Sequence, residues 1–62
     1  MLDGLKTLTN INGSKITINR DDVLSILEQP LGTGIELMKD GECLYLIVRE
    51  DFFELFDWLS EN

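Results

Sequence analysis

The chain predicts a mainly β fold with one C-terminal α-helix: a small antiparallel sheet, or a partly closed barrel, of four or five strands with the helix packed on one face. Three observations predict it. Two turn dipeptides, Asn12-Gly13 and Asp40-Gly41, each lie between segments of alternating apolar residues, which is the pattern of β-hairpins. Residues 43–48 read Cys-Leu-Tyr-Leu-Ile-Val, an apolar run flanked by charged residues, and side chains on a strand alternate between faces, so this strand is apolar on both. Apolar residues then recur at helical spacing behind Asp51, a suitable N-cap.

The first hairpin is expected to join residues 5–11 to residues 14–20. A two-residue turn at Asn12-Gly13 would set Ile11 opposite Ser14, Thr9 opposite Ile16 and Thr7 opposite Ile18. One face then carries Leu5, Thr7, Thr9, Ile11, Ile16 and Ile18, and the other Lys6, Leu8, Asn10, Lys15, Thr17 and Asn19. A slip of one residue would exchange these faces. Residues 23–28 are too short for periodicity to decide: Asp21 or Asp22 could cap a helical turn, but the β-branched content favours a strand. Pro30 and a flexible Gly32-Thr33-Gly34 would end it.

The second hairpin joins residues 35–39 to residues 42–48 through Asp40-Gly41. Ile35 and Leu37 share a face with Leu44, Leu46 and Val48. The opposite face carries Glu36, Met38, Cys43, Tyr45 and Ile47, which is apolar enough to mark an interface. The helix spans residues 51–60, with Glu54 completing a capping-box spacing. Phe52, Leu55, Phe56 and Leu59 form its apolar stripe, Glu50, Glu54, Asp57 and Glu61 the opposite one, and Phe53 and Trp58 the shoulders. The stripe is expected against a sheet face that includes Leu37, Leu44, Leu46, Ile16 and Ile18.

Length makes such a domain need support. The 62 residues read as a single domain, and one of this size buries only about 60% of its unfolded surface. With one Cys and no His, neither an intrachain disulfide nor a zinc site is expected, and nothing calls for a cofactor. Oligomerisation is the remaining support, and Met38, Tyr45 and Ile47 are its expected contacts. No stretch reaches the ~18 apolar residues of a membrane span, and no signal-peptide pattern opens the chain, so a cytoplasmic protein with no membrane contact is expected.

Charge separates the possible partners. The net charge is −7, of which residues 50–62 contribute five acids and no base. Binding to nucleic-acid backbones requires Lys and Arg to neutralise phosphates, so direct nucleic-acid binding is not expected and a basic protein partner is. Asp57 and Glu61 lie at the helix C-terminus, where the macrodipole disfavours anions, a hint that the acidic face serves a contact. Phe53, Trp58, Glu50, Glu54, Asp57 and Glu61 are the candidate partner-binding residues, because exposed aromatics dominate interface energetics.

Catalysis has few groups to work with. No His can serve as an acid or base near neutral pH, Cys43 lies mid-strand without a His partner, and Gly32-Thr33-Gly34 lacks the Lys of a phosphate loop. An enzyme is not expected. Arg20, Tyr45 and Arg49 are the alternative: an Arg with an aromatic ring could grip the phosphate and base of a small nucleotide.

The order of these signals resembles a known family. Leu8-Thr9-x-Ile11-Asn12-Gly13 leads into Ile16-x-Ile18-Asn19, then Val23-x-x-Ile26 with Glu28 and Pro30, Ile35-x-Leu37 with Asp40-Gly41, and Val48-x-Glu50 opening a helix. Over residues 5 to 60 this resembles the small FlbD-like proteins, found near flagellar genes and, as look-alikes, in phage genomes. The resemblance implies a non-enzymatic accessory protein and supplies no catalytic residues. The marked acidity and small size would also suit a phage-encoded inhibitor of host machinery, and the alternative, resting on Arg20, Arg49 and Tyr45, is a phage-type sponge that sequesters a small nucleotide signal between subunits. Residues 43–48 are more apolar than the family pattern and the helix is richer in Phe and Trp, which points to a stronger subunit or partner interface.

Overall fold

The computed structural model describes residues 4–61, and its order is β1 (Leu5–Thr9), β2 (Lys15–Asn19), a 3₁₀ turn (Arg20–Asp22), β3 (Val23–Gln29), β4 (Gly32–Lys39), β5 (Glu42–Val48) and α1 (Phe52–Ser60). The fold is the mainly β, one-helix architecture the sequence predicts, with all strand pairs antiparallel. Two sheets form, β1–β2 and β3–β4–β5. They meet where Asn10 bridges Val48, with Ile11 N–H donating to Ile47 O at 3.1 Å and Arg49 N–H to Thr9 O at 2.7 Å. The assembly curls around the core but does not close into a barrel.

The second hairpin has the expected register, with Lys39 opposite Glu42 and Leu37 opposite Leu44. Asp40 (φ 52°) and Gly41 (φ 81°) both take positive φ, as a two-residue primed turn requires. The first hairpin departs from expectation. Leu8, not Thr9, pairs with Ile16, and Thr9 pairs with Lys15. Its loop holds three residues: Asn10 N–H donates to Ser14 O at 2.7 Å and Gly13 N–H to Asn10 O at 2.8 Å. Gly13 alone in that loop takes a positive φ, 97°, so one glycine in the left-handed region replaces the expected pair. Asn12 instead accepts Ser14 N–H on its side-chain oxygen at 2.9 Å.

That one-residue difference exchanges the faces of β1. Leu8 is fully buried beside Ile18, whereas Leu5 and Ile11, expected inside, are exposed. The cause lies outside the hairpin. The join to β5 holds Thr9, Asn10 and Ile11 in place, and the Glu50 carboxylate accepts Thr9 N–H at 2.9 and 3.0 Å.

Residues 23–29 form a strand, as favoured, with a bulge between Val23 and Ser25. The Asp21 signal is accounted for locally, since Asn19 accepts Asp21 N–H at 2.9 Å and caps the 3₁₀ turn. Gly32-Thr33-Gly34 is not the flexible ending expected; it opens β4, and Thr33 is fully buried. The glycines serve close approach: a Cβ on Gly32 would run into Val48 O, and one on Gly34 into the Tyr45 ring.

The core joins Leu8 and Ile18 of the first sheet to Ile35, Leu37 and Val48 of the second, and Leu55 and Trp58 of α1 complete it. The helix therefore packs on one face, but rotated from the expected stripe. Trp58 turns inward, Phe52 and Leu59 are half-buried, and Phe56 is exposed. Leu44, expected beneath the helix, is also left 40% exposed.

Candidate functional site

Helix α1 begins where the sequence places its cap. Asp51 is extended (φ −67°, ψ 143°) and its carboxylate accepts Phe53 N–H at 3.0 Å, while Leu55 N–H donates to Asp51 O at 3.1 Å. Just before it, Glu50 is held from both sides. Its carboxylate takes Thr9 N–H, and its carbonyl accepts the hydroxyl of buried Thr33 at 2.8 Å. Glu50 is thus a latch between β1, β4 and α1 and is not displayed to a partner, which corrects the expectation for this residue.

Trp58 requires the same correction. Only 8% of it is exposed, and two cations cover its ring: Lys6 Nζ at 6.0 Å and Arg20 Cζ at 5.7 Å from the centroid. Such cation–π contacts hold an aromatic ring at the margin of a core. The indole buries more apolar surface than a phenyl ring, so with cations available to cover it Trp58 displaces Phe56 from the inner face.

Of the two acids at the end of α1, Glu61 is compensated. Arg20 Nη1 donates to the Glu61 carbonyl at 2.7 Å, and Nη2 lies 3.9 Å from the Glu61 carboxylate. A guanidinium at the carbonyl end offsets the macrodipole cost that Glu61 would otherwise impose. The hint of purpose drawn from that cost therefore loses Glu61. Glu54 lies 3.7 Å from Lys6 Nζ, an exposed and weak pair. Asp57 is exposed and makes no ion pair among the described residues.

What α1 does display is aromatic. Phe53 is 63% exposed and Phe56 53%. Phe52 touches both rings, edge-on to Phe53 at 5.4 Å and stacked with Phe56 at 6.2 Å between centroids. At about 100° per residue, Phe53, Phe56 and Asp57 share the solvent half of the helix, with Glu54 beside Phe53. Phe56 is the member of this surface that sequence reasoning assigned to the core. Its signal was present in the spacing of Leu55 and Trp58, which with Phe52 and Leu59 as flanks defines an equally apolar inner stripe.

The other candidates fall elsewhere. Met38, Tyr45 and Ile47 lie together on the outer face of the three-stranded sheet, with Tyr45 54% exposed and Ile47 half-buried. Tyr45 lies across Gly34, and its hydroxyl accepts Gln29 Nε2–H at 2.9 Å. The nucleotide candidates are engaged separately: Arg20 at Glu61 and Trp58, Tyr45 at Gln29, and Arg49 through Nη2 to Ile11 O at 2.9 Å. A nucleotide would have to compete with each of these contacts.

Among the described residues there is no enclosed pocket and no cluster of metal-ligating side chains, and no helix is long and apolar enough to cross a membrane. No family model, curated protein or solved structure matches the chain.

Proposed function

We propose that this protein is a non-enzymatic binding module, an adaptor or inhibitor that takes a basic protein partner on the solvent face of α1. The observation that carries this reading is the exposed Phe53 and Phe56, each packed on Phe52, beside Glu54 and Asp57. Two large aromatics in water on one short helix form an apolar anchor, and the acids around them select cationic surroundings. The rings are held by Phe52, so little side-chain freedom is lost on binding. The resemblance to FlbD-like proteins is in keeping with an accessory role.

A titration of isotope-labelled protein with an amphipathic helical peptide, its Leu residues at i, i+3, i+4 and i+7 and Lys elsewhere, tests this. Amide shifts should concentrate at Phe53, Phe56 and Asp57, weaken as salt rises, and disappear in the double variant Phe53→Ala/Phe56→Ala. Both rings point to solvent, so that variant should keep its fold by circular dichroism. Peptide binding that survives the double substitution would overturn the assignment.

A further inference from the structure

The first half of β5 has an open edge as well as two uncovered faces. On one side β5 pairs with β4 along its whole length. On the other, among the described residues, the first sheet reaches it only at Ile47, Val48 and Arg49. From residue 42 to residue 46 no strand lies against that second edge among the described residues. Cys43, Leu44 and Tyr45 are exposed in turn, so both faces of this apolar segment meet solvent together with its backbone.

The direction of the free groups follows from the turn. A two-residue loop makes Lys39 and Glu42 the hydrogen-bonded pair, so alternate residues Glu42, Leu44 and Leu46 direct their N–H and C=O groups toward β4. Those of Cys43, Tyr45 and Ile47 face the open edge. Ile47 confirms the phase, because its carbonyl accepts Ile11 N–H at 3.1 Å. Natural sheets blunt open edges with Lys, Pro or bulges. This segment contains neither residue type, and its pairing with β4 runs without a register shift. By contrast β3 carries a bulge, and β2 has Lys15.

We propose that the protein self-associates through this edge, a second copy adding its own residues 42–46 antiparallel across a two-fold axis at Leu44. The open segment is centred on Leu44, so a two-fold pairing there covers it from end to end. Cys43 then exchanges N–H···O bonds with Tyr45 of the second copy, and the reverse. Leu44 meets its own symmetry mate at a non-hydrogen-bonded position, where opposed side chains approach most closely. The new strand continues the line that Ile11 begins, and the two three-stranded sheets merge into one of six. Charge favours this edge over the helix: copies of net charge −7 repel through their acidic α1 faces, whereas residues 43–46 carry no charge. The inference stands on backbone geometry and does not depend on the α1 reading.

Sedimentation equilibrium of the full chain should give twice the 7.1 kDa chain mass, with association strengthened by salt as like charges are screened. This is the opposite salt response to that expected at α1, so failure of either reading is recognised separately. Cys43→Pro removes an outward N–H, spares the β4 ladder and should yield a monomer with an unchanged β spectrum. If that variant unfolds, Cys43→Ser/Leu44→Cys decides. Cα atoms of a non-hydrogen-bonded pair lie about 4.5 Å apart, within disulfide reach, so mild oxidation should link the copies quantitatively, while Cys43 of the wild type, diagonal to its mate, should remain reduced. A wild-type chain that stays monomeric at every concentration, a Cys43→Pro dimer as tight as wild type, or a Leu44→Cys variant that does not cross-link would each overturn the proposal.

Discussion

The two hairpins begin from nearly the same instruction and end differently. Asn12-Gly13 and Asp40-Gly41 are both favoured hairpin dipeptides between apolar alternations. Asp40-Gly41 closes a two-residue turn with both φ angles positive, whereas Asn12-Gly13 occupies the end of a three-residue loop in which Gly13 alone is positive. The difference lies in what else holds each strand. Next to Asp40-Gly41, residues 38–39 and 42–43 pair only with each other among the described residues, and the local turn decides their register. Strand β1 answers also to β5 and Glu50, and these distant contacts choose the register that buries Leu8. A turn motif therefore predicts that a hairpin exists more reliably than which residues face inward.

Substitution of Leu8 tests that choice most severely. Leu8→Ala empties a fully buried site and should cost about 2–5 kcal/mol, enough to unfold most of a domain this small. Leu5→Ala, on the outer face of the same strand, should cost under ~0.5 kcal/mol. Urea unfolding of the pair distinguishes the two registers, because the alternative register reverses the order. Glu50→Ala comes next. It leaves the Thr9 N–H without its acceptor and should cost about 1–3 kcal/mol, with hydrogen exchange accelerated in β1 and β2 before β4 and β5; uniform acceleration would show that the join is not where the sheets separate. The smallest effect sharpens the comparison of turns. Asp40→Gly relieves a positive φ and should stabilise by up to ~1 kcal/mol, whereas Asn12→Gly relieves none, loses the bond to Ser14, and should destabilise by several tenths of a kcal/mol to about 1. Equal signs for the two would mean the loops are alike after all.

Much of the second half of the molecule was legible because its signals are local. Asp51 caps α1, Asp40-Gly41 sets its own register, and the alternation of Ile35, Leu37 and Leu46 assigns the sheet faces. What escaped depends on residues far apart in sequence. Nothing near Trp58 announces that Lys6 and Arg20 will cover its ring, and nothing near Glu61 announces Arg20 at the helix end. Gly32-Thr33-Gly34 read as a flexible break because composition alone does not reveal that Tyr45 lies over one glycine and the Val48 carbonyl beside the other. At the candidate surface, Phe53, Glu54 and Asp57 were named from the sequence. Phe56 was not, because two overlapping apolar stripes fit the same helical spacing and only burial chooses between them.

Glu50 also sets an order of events during synthesis. Strands β1 and β2 leave the ribosome well before the carboxylate that takes Thr9 N–H, 41 residues further along the chain, and before Leu55 and Trp58, which close over Leu8 and Ile18. Until β5 and that stretch emerge, the first hairpin lacks the contacts to Ile47, Val48, Arg49 and Glu50 that favour its native register over its neighbour. The first hairpin is thus held uncommitted until those residues have been made, in the condition in which a nascent polypeptide is open to chaperones. The arrival of the end of β5 and the junction that follows it is what commits it.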